Sequence, residues 1–309
     1  MKANIALLHH DLEWTELTLV EALRERSINV DLFDVRKAQA DVLVAYDMVL
    51  NRVYASVANR DYPSIHTTLR LVFELTAMGV SCVNSAAAAR ADYDKYYAYE
   101  RMRDSDVMTP DSRLLSMDSE ESVTEDLIHY GSLFGYPFIL KRNTGGRGKG
   151  LHKVHGPQKV REIAHELAGR GYGGAWIVQR YIKNVRGHDC RISIVAGQVM
   201  HAYGRSLIKE STEDHEPWLA SRSRGSSCFA YSPKPDEVAL AVAATAAIGA
   251  DINEVDMTFA AAGPVIIENN PTPQYISELD GERFPRFVDG ICGIIAALSQ
   301  ARAVEGVPQ

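Results

Sequence analysis

The sequence has no surplus of positive charge, no apolar stretch long enough to cross a bilayer and no closely spaced cysteines. Lys and Arg number 33 against 40 Asp and Glu, a formal charge of −7. That balance argues against a dedicated nucleic-acid binder, although a local basic groove stays open. No apolar run approaches the length of a membrane span, so no membrane association is expected. The N-terminus reads as a first strand and not as a signal peptide, so a cytoplasmic location is expected. Cys82, Cys190, Cys228 and Cys292 lie far apart, with no C-x-x-C pair. They read as buried thiols of a reducing compartment, which excludes a zinc ribbon or a disulfide frame. No G-x-G-x-x-G follows the first strand, and no G-x-x-x-x-G-K-[ST] occurs. Rossmann and Walker A nucleotide sites are therefore not expected. Internal repeats and low-complexity tracts are also lacking.

What remains is an ordinary globular composition, 46% hydrophobic and 24% charged over 309 residues. That length exceeds one small core and predicts two or three subdomains. Up to about residue 90, strand and helix signals alternate: strands Ile5–Leu8, Val30–Phe33, Met48–Leu50 and Val80–Val83, helices Thr15–Arg26 and Ser64–Met78. Alternation of this kind predicts a parallel sheet. Ala86–Arg103 reads as one helix and Met108-Thr109-Pro110 as a break. A smaller unit follows, with helix Glu120–Leu133, strand Tyr136–Arg142, a glycine-rich loop, strand His152–Val154 and helix Gln158–Ala168. The glycine cluster at 171–174 reads as a hinge. The last unit is expected to open with strand Trp176–Tyr181. Strands Arg191–Val195 and Val199–Tyr203, a polar loop Lys209–Ser227 and helix Pro235–Ile248 come next. Strands Asn253–Phe259 and Val265–Glu268 and a helix near Val288–Arg302 complete it. The expected division is 1–90, 91–175 and 176–309.

Several stretches carry chemistry. The apolar run Val265-Ile266-Ile267 ends in Glu268-Asn269-Asn270, and two prolines then stop it. Side chains alternate along a strand, so Glu268 and Asn270 point the same way. A charged and a neutral oxygen donor side by side suit a hard cation shared with phosphates, or simply a solvated strand end. Asp256 lies one strand earlier and joins them if the two strands are antiparallel neighbours. Lys141 ends an apolar strand and needs an anionic partner, because burying a lone ammonium is costly. It runs into Thr144-Gly145-Gly146-Arg147-Gly148-Lys149-Gly150, where the glycines let backbone amides approach an anion. Such a hairpin is either a phosphate cover or an ordinary turn. Lys95 reads from its sequence surroundings as a surface lysine. Asp189 and Arg191 share a strand face and read equally well as an exposed charge pair. Arg205, Arg222 and Arg224 flank the long polar loop, and arginine grips carboxylates and phosphates bidentately.

Taken in order, these pieces resemble the ATP-grasp superfamily, and within it the RimK/LysX-like carboxylate–amine ligases. The resemblance runs through Asn84-Ser85, Asp94-Lys95, strand Tyr136–Lys141, the glycine-rich loop, Val178–Ile182, Asp189-x-Arg191, Arg205, Arg224-Gly225, Asp256 and Glu268-x-Asn270. It implies a mixed α/β fold: an N-terminal parallel domain, a central lid subdomain and a C-terminal subdomain, with ATP between the last two. It implies that Lys95 and Lys141 hold phosphates beneath Gly145, Gly146, Arg147, Gly148 and Lys149. Gln179, Arg180, Tyr181 and Ile182 would present backbone groups to adenine, and Asp189 would meet the ribose. Asp256, Glu268 and Asn270 would bind Mg2+, with Mn2+ an acceptable substitute. Arg205 and Arg224 would hold the substrate carboxylate and its acyl-phosphate. The partners implied are a carboxylate and an amine, the latter an amino acid, a peptide or a carrier-protein terminus. Relatives commonly form dimers or tetramers, so a homo-oligomer is expected. The chain departs from its relatives at Arg180, where many have Glu, at Trp218–Ser226, which lacks the substrate signatures of the glutamate and lysine-biosynthesis ligases, and at Pro273-Gln274-Tyr275. An ATP-dependent phosphotransferase and a non-catalytic ATP-binding regulator are the alternatives.

Overall fold

The computed structural model describes residues 3–169, 174–211, 214–275, 281 and 283–305. Most of the glycine cluster expected to be a hinge, residues 171–173, lies outside them. Three sheets organise the chain, and one helix break matters for the site.

The first sheet is parallel throughout. It contains β1 (Asn4–His9), β2 (Asn29–Asp34), β3 (Met48–Asn51) and β4 (Ser81–Val83), in the order β2-β1-β3-β4. Helices α1 (Trp14–Glu25), the short α2 (Ala40–Leu43) and α3 (Tyr62–Ala77) make the crossovers. The strands are short apolar runs covered on both faces, as parallel sheets require. Asp61 caps α3, accepting from the Ser64 amide.

The segment expected to be a single helix is two, α4 (Ala86–Tyr93) and α5 (Lys95–Asp104). Asp94 breaks it. Its backbone is extended, with φ −131° and ψ 95°, and its side chain caps α5 by accepting from the Tyr97 amide. Lys95 therefore opens a new helix.

The second sheet is antiparallel: β5 (Ser112–Leu115), β6 (Phe138–Arg142), β7 (Leu151–Val154) and β8 (Trp176–Arg180), in the order β5-β8-β6-β7. Two helices, α6 (Glu120–Phe134) and α7 (Pro157–Gly169), cover the face that carries Phe138, Leu140 and Val178. Two corrections arise here. Strand β5 has no counterpart in the sequence reading. Strand β8, expected to open the last unit, is hydrogen-bonded between β5 and β6 of this sheet. Nothing in its apolar pattern names its neighbours.

The third sheet is also antiparallel, in the order β11-β10-β9-β12-β13: β9 (His188–Val195), β10 (Gln198–Ser206), β11 (Cys228–Ala230), β12 (Ile252–Ala260) and β13 (Gly263–Asn270). One face packs on α8 (Pro235–Ala247) and on Met102 of α5. The last helix, α9 (Phe284–Glu305), buries Phe284, Phe287 and Ile291 in one core with Ile5 and Leu7 of β1 and with Val195 and Ile252 of the third sheet. That core joins the first and third sheets. No helix among the described residues is long and apolar enough to cross a membrane.

Candidate active site

Strands β12 and β13 are antiparallel neighbours, and Asp256 lies directly opposite Glu268, with Glu254 opposite Asn270. Directly opposed residues share a face, and so do residues two apart on a strand. All four side chains therefore project from one side of the sheet. A register shift between Asp256 and Met257 leaves Ile267 without a ladder partner, a bulge of the kind that re-aims neighbouring side chains. Glu268 and Asn270 lie within the strand and do not form a frayed end.

The same face continues across β9 and β10. Arg191 is opposite Asp256, and Arg205 is opposite Asp189. Arg191 donates from Nε and Nη2 to the two oxygens of Asp256, at 2.5 and 2.8 Å, and from Nη1 to Glu254 at 3.2 Å. Arg205 donates to both oxygens of Asp189, at 2.9 and 2.5 Å, and its Nη2 lies 3.2 Å from Asp256. Burial alone would raise the Asp256 carboxyl, but Arg191 and Arg205 beside it hold it down at about 2. These contacts correct the reading of Asp189 and Arg191 as an exposed pair. Each is paired with a different partner, and Asp189 is buried. Arg205 directs two nitrogens to protein carboxylates, and both oxygens of Asp189 accept from Arg205. In this arrangement each orients the other.

The two lysines approach from the opposite side of the cleft. Lys95 is not a surface residue: its side chain is 13% exposed, 3.3 Å from Glu268 Oε1. Its Nζ also donates to the Gly145 carbonyl at 2.6 Å. Asn143, just after β6, stitches the start of α5 in place. Its Oδ1 accepts from the Tyr96 amide and its Nδ2 donates to Asp94. Lys141 shares a face of the second sheet with Ile139, away from α6 and α7. Desolvation pulls Lys141 down to about 8, with Lys95 adding to the effect and Glu268 and Asp256 opposing it. Two ammonium groups around one partly exposed carboxylate form a site with cationic surplus, ready for a polyanion. The cleft that holds them is lined by Lys95, Lys141, Gln179, Ile267 and Glu268, with Ala98 behind.

The glycine-rich loop meets this cleft at Lys95. Gly145, Gly148 and Gly150 have φ of 113°, 68° and 68°, the left-handed region that glycine adopts without penalty. Its carbonyls are tied to three parts of the molecule. Gly145 accepts from Lys95, Gly146 from Asn59 at 3.2 Å and Gly148 from Arg224 at 2.6 Å. Arg147 is exposed, 3.6 Å from Glu13. Lys149 is exposed.

At the end of β8, Gln179 faces the cleft while its amide donates to Ser112 at 3.0 Å. Arg180 points the other way. Its backbone N–H is taken by the Asp111 carbonyl at 2.8 Å, and its guanidinium lies on Asp111 and over the Phe134 ring. The Arg180 guanidinium and N–H are therefore directed away from the cleft. Tyr181 and Ile182 follow the strand, half-buried. Sequence reasoning missed Glu254, Asn143 and the Lys153–Asp214 pair. Glu254 had a usable signal, since it stands two residues before Asp256 on the same strand face.

A family model for the RimK-like ATP-grasp domain matches residues 93–279. The chain belongs to the RimK-like ATP-grasp family. The relatives that this RimK-like protein matches bear ligase names. A probable alpha-L-glutamate ligase of Parasynechococcus marenigrum is 27% identical over 87% of this chain, which spans 57% of that relative. A probable alpha-L-glutamate ligase 2 of Hahella chejuensis is 26% identical, covering 82% of this chain and 83% of the relative. Among solved structures, a RimK domain ATP-grasp protein of Sphaerobacter thermophilus superposes with a TM-score of 0.69 at 20% identity, covering 93% of this chain and 98% of the other. A D-alanine–D-alanine ligase of Bacillus anthracis gives 0.67 at 15%, covering 99% and 100%. Likeness at that identity speaks for the ATP-grasp fold.

ATP-grasp ligases use ATP with Mg2+, and the donors of this RimK-like site can be tested for fit. Among the described residues, no group of three or more His, Cys, Asp or Glu could hold a metal by itself. Asp256 and Glu268 supply two anionic donors. Asn270 would add a neutral one: its Nδ2 donates to the Glu254 carbonyl at 3.1 Å, which leaves Oδ1 as the atom that could ligate. An all-oxygen set short of a full shell suits a hard ion that shares phosphate oxygens.

Proposed function

We propose that this chain activates a substrate carboxylate with ATP as an acyl-phosphate and transfers the acyl group to an amine, releasing ADP and phosphate. The observation that carries this reading is the convergence of Lys95 and Lys141 on Glu268, opposite Asp256, in one cleft between the second and third sheets. Lys95 and Lys141 hold the phosphates, and the 145–150 loop covers them. Mg2+ held by Asp256, Glu268 and Asn270 would offset charge on the phosphate oxygens. The carboxylate oxygen attacks the γ-phosphorus and ADP leaves. The amine nitrogen then attacks the acyl carbon, phosphate leaves and the nitrogen loses a proton. Positioning and charge neutralisation supply most of the catalysis in such transfers. Exclusion of water protects the acyl-phosphate.

Within this reading Arg205 acts indirectly, by holding Asp189 and Asp256. Arg224, exposed beside Gly148, is the guanidinium we assign to the substrate carboxylate and acyl-phosphate. The three sheets are the natural units, with the second unit extended to include β8. The curated relatives make glutamate the first amine to test, although the loop Trp218–Ser226 differs from the glutamate signature. An ADP-release screen over paired carboxylates and amines, with mass spectrometry of products, tests the reading. A phosphorylated product without an amide would point to a phosphotransferase. ATP binding without turnover on any pair would point to a regulatory role.

A further inference from the structure

The polar loop between β10 and β11 contains a buried carboxylate that the proposed chemistry does not use. Asp214 is 3% exposed. Its Oδ2 accepts from the Glu210 and Ser211 amides, each at 3.0 Å, and from Trp218 Nε1 at 2.8 Å. Its Oδ1 faces Lys153 Nζ and His155 Nε2, both at 3.4 Å. Lys153 and His155 belong to the edge of the second sheet, on or just after β7, whereas Asp214 belongs to the third unit. The Lys153 side chain is 7% exposed, and its ammonium lies 4.7 Å from the Tyr181 ring centroid and 5.2 Å from that of Trp218. A buried carboxylate with this many donors is a fixed point, since a charge in that position must be paired and hydrogen-bonded.

The loop is closed on itself beside this point. Ile208 and Leu219 exchange backbone hydrogen bonds of 2.9 and 3.2 Å. Glu210, whose amide Asp214 holds, forms an ion pair with Arg224. Arg224 in turn donates to the Gly148 carbonyl of the glycine-rich loop. A connected series therefore runs from β7 through Lys153, Asp214, Glu210 and Arg224 back to the cover of the cleft.

We propose that Asp214 is a positioning residue that fastens the loop 208–219 to the lid sheet and, through Glu210, sets Arg224 beside the glycine-rich loop. The fastening draws together the two elements that must exclude water while the acyl-phosphate exists. This rests on the ligase reading above, with Arg224 on the activated carboxylate. It predicts that loss of the fastening uncouples ATP use from amide formation.

The test uses the full-length protein with Asp214→Asn and, separately, Lys153→Met. The first keeps the shape and removes the charge, and the second removes the ammonium but leaves Asp214 its backbone amides, Trp218 and His155. One measurement needs no turnover: the rate of tryptic cleavage after Lys209, read by mass spectrometry with and without a non-hydrolysable ATP analogue. In Asp214→Asn it should rise about tenfold or more, the order expected from losing hydrogen bonds to a charged group. The second measurement is ADP released per amide formed on whichever substrate pair the wild type uses. That ratio should rise in both variants, with KM for the carboxylate rising more than kcat falls. Wild-type cleavage and wild-type coupling in folded Asp214→Asn would overturn the proposal. If that variant does not fold, the same two results in Lys153→Met would overturn it. Failure of the ligase reading looks different, since the wild type then forms no amide while the cleavage measurement still reports on the fastening.

Discussion

The two walls of the cleft are built in opposite ways. On the third sheet, Asp189, Arg191, Arg205, Glu254 and Asp256 are paired with one another and mostly buried. Their side chains pair with charged partners on adjacent strands, and Arg205 also reaches Asp256 two strands away. The cover, residues 145–150, is held by three carbonyls accepting from side chains, and its own charged side chains, Arg147 and Lys149, are exposed. One wall is pre-organised, with electrostatics set before any ligand arrives. The other is held by few contacts, which is the composition expected of a segment that must open and close. Lys95 bridges them, since its one ammonium touches Glu268 of the rigid wall and the Gly145 carbonyl of the cover.

The largest effect should come from removing the exposed end of the rigid wall. Glu268→Ala should lower ADP release by about 10²-fold or more, the scale of losing a charge-stabilising group at a reaction centre, and should leave the fold intact. Near-normal ADP release from the folded variant would remove the metal assignment. Arg191→Met attacks the interior of the same wall. It removes the cation shared by Glu254 and Asp256, leaves Arg205 beside Asp256 and should cost about 3–5 kcal/mol, read from the urea midpoint. A cost under about 1 kcal/mol would mean that the wall is less pre-organised than its geometry implies.

Lys141 sharpens the comparison at its middle. With its ammonium drawn down to about 8, the free protein loses that charge as pH rises through 8. ATP binding favours the charged form and must then bring a proton with it. Affinity for ATP should therefore weaken by up to about tenfold per pH unit above 8, and Lys141→Arg, which stays protonated, should flatten the profile. A flat wild-type profile from pH 7 to 9.5 would contradict this. The smallest effect belongs to the cover. Asn59→Ala removes one hydrogen bond to Gly146 and should cost the closed loop about 1 kcal/mol, seen as faster amide exchange at 145–150 with unchanged exchange in β12. Equal changes in both would mean that the walls are not mechanically distinct.

Much of this molecule is legible in its residues. The apolar periods of β1, β6, β12 and β13 are local properties, and the strands occur close to where those periods place them. The carboxylate and carboxamide of Glu268 and Asn270 are equally plain. Other features were hidden for physical reasons. The break at Asp94 is one residue inside an otherwise helical pattern, and only its hydrogen bond to Tyr97 reveals it. Strand β8 has the same apolar pattern whether it joins the second sheet or the third. Arg180 carries the same charge whether it faces the cleft or Phe134, and strand alternation from Gln179 decides which.

The sequence by itself determined most of the element types, the presence of oxygen donors beside a buried strand and the glycine-rich loop, because these follow from local backbone preference and side-chain period. Tertiary structure decided which charges meet. Arg205 rests on Asp189, Arg191 on Asp256, and Lys153 on Asp214, pairings between residues 16, 65 and 61 positions apart in the chain. Charge has no range or direction that a linear pattern can express. Its partner is set only when the sheets bring distant strands into register and burial makes an unpaired ion too costly to leave alone.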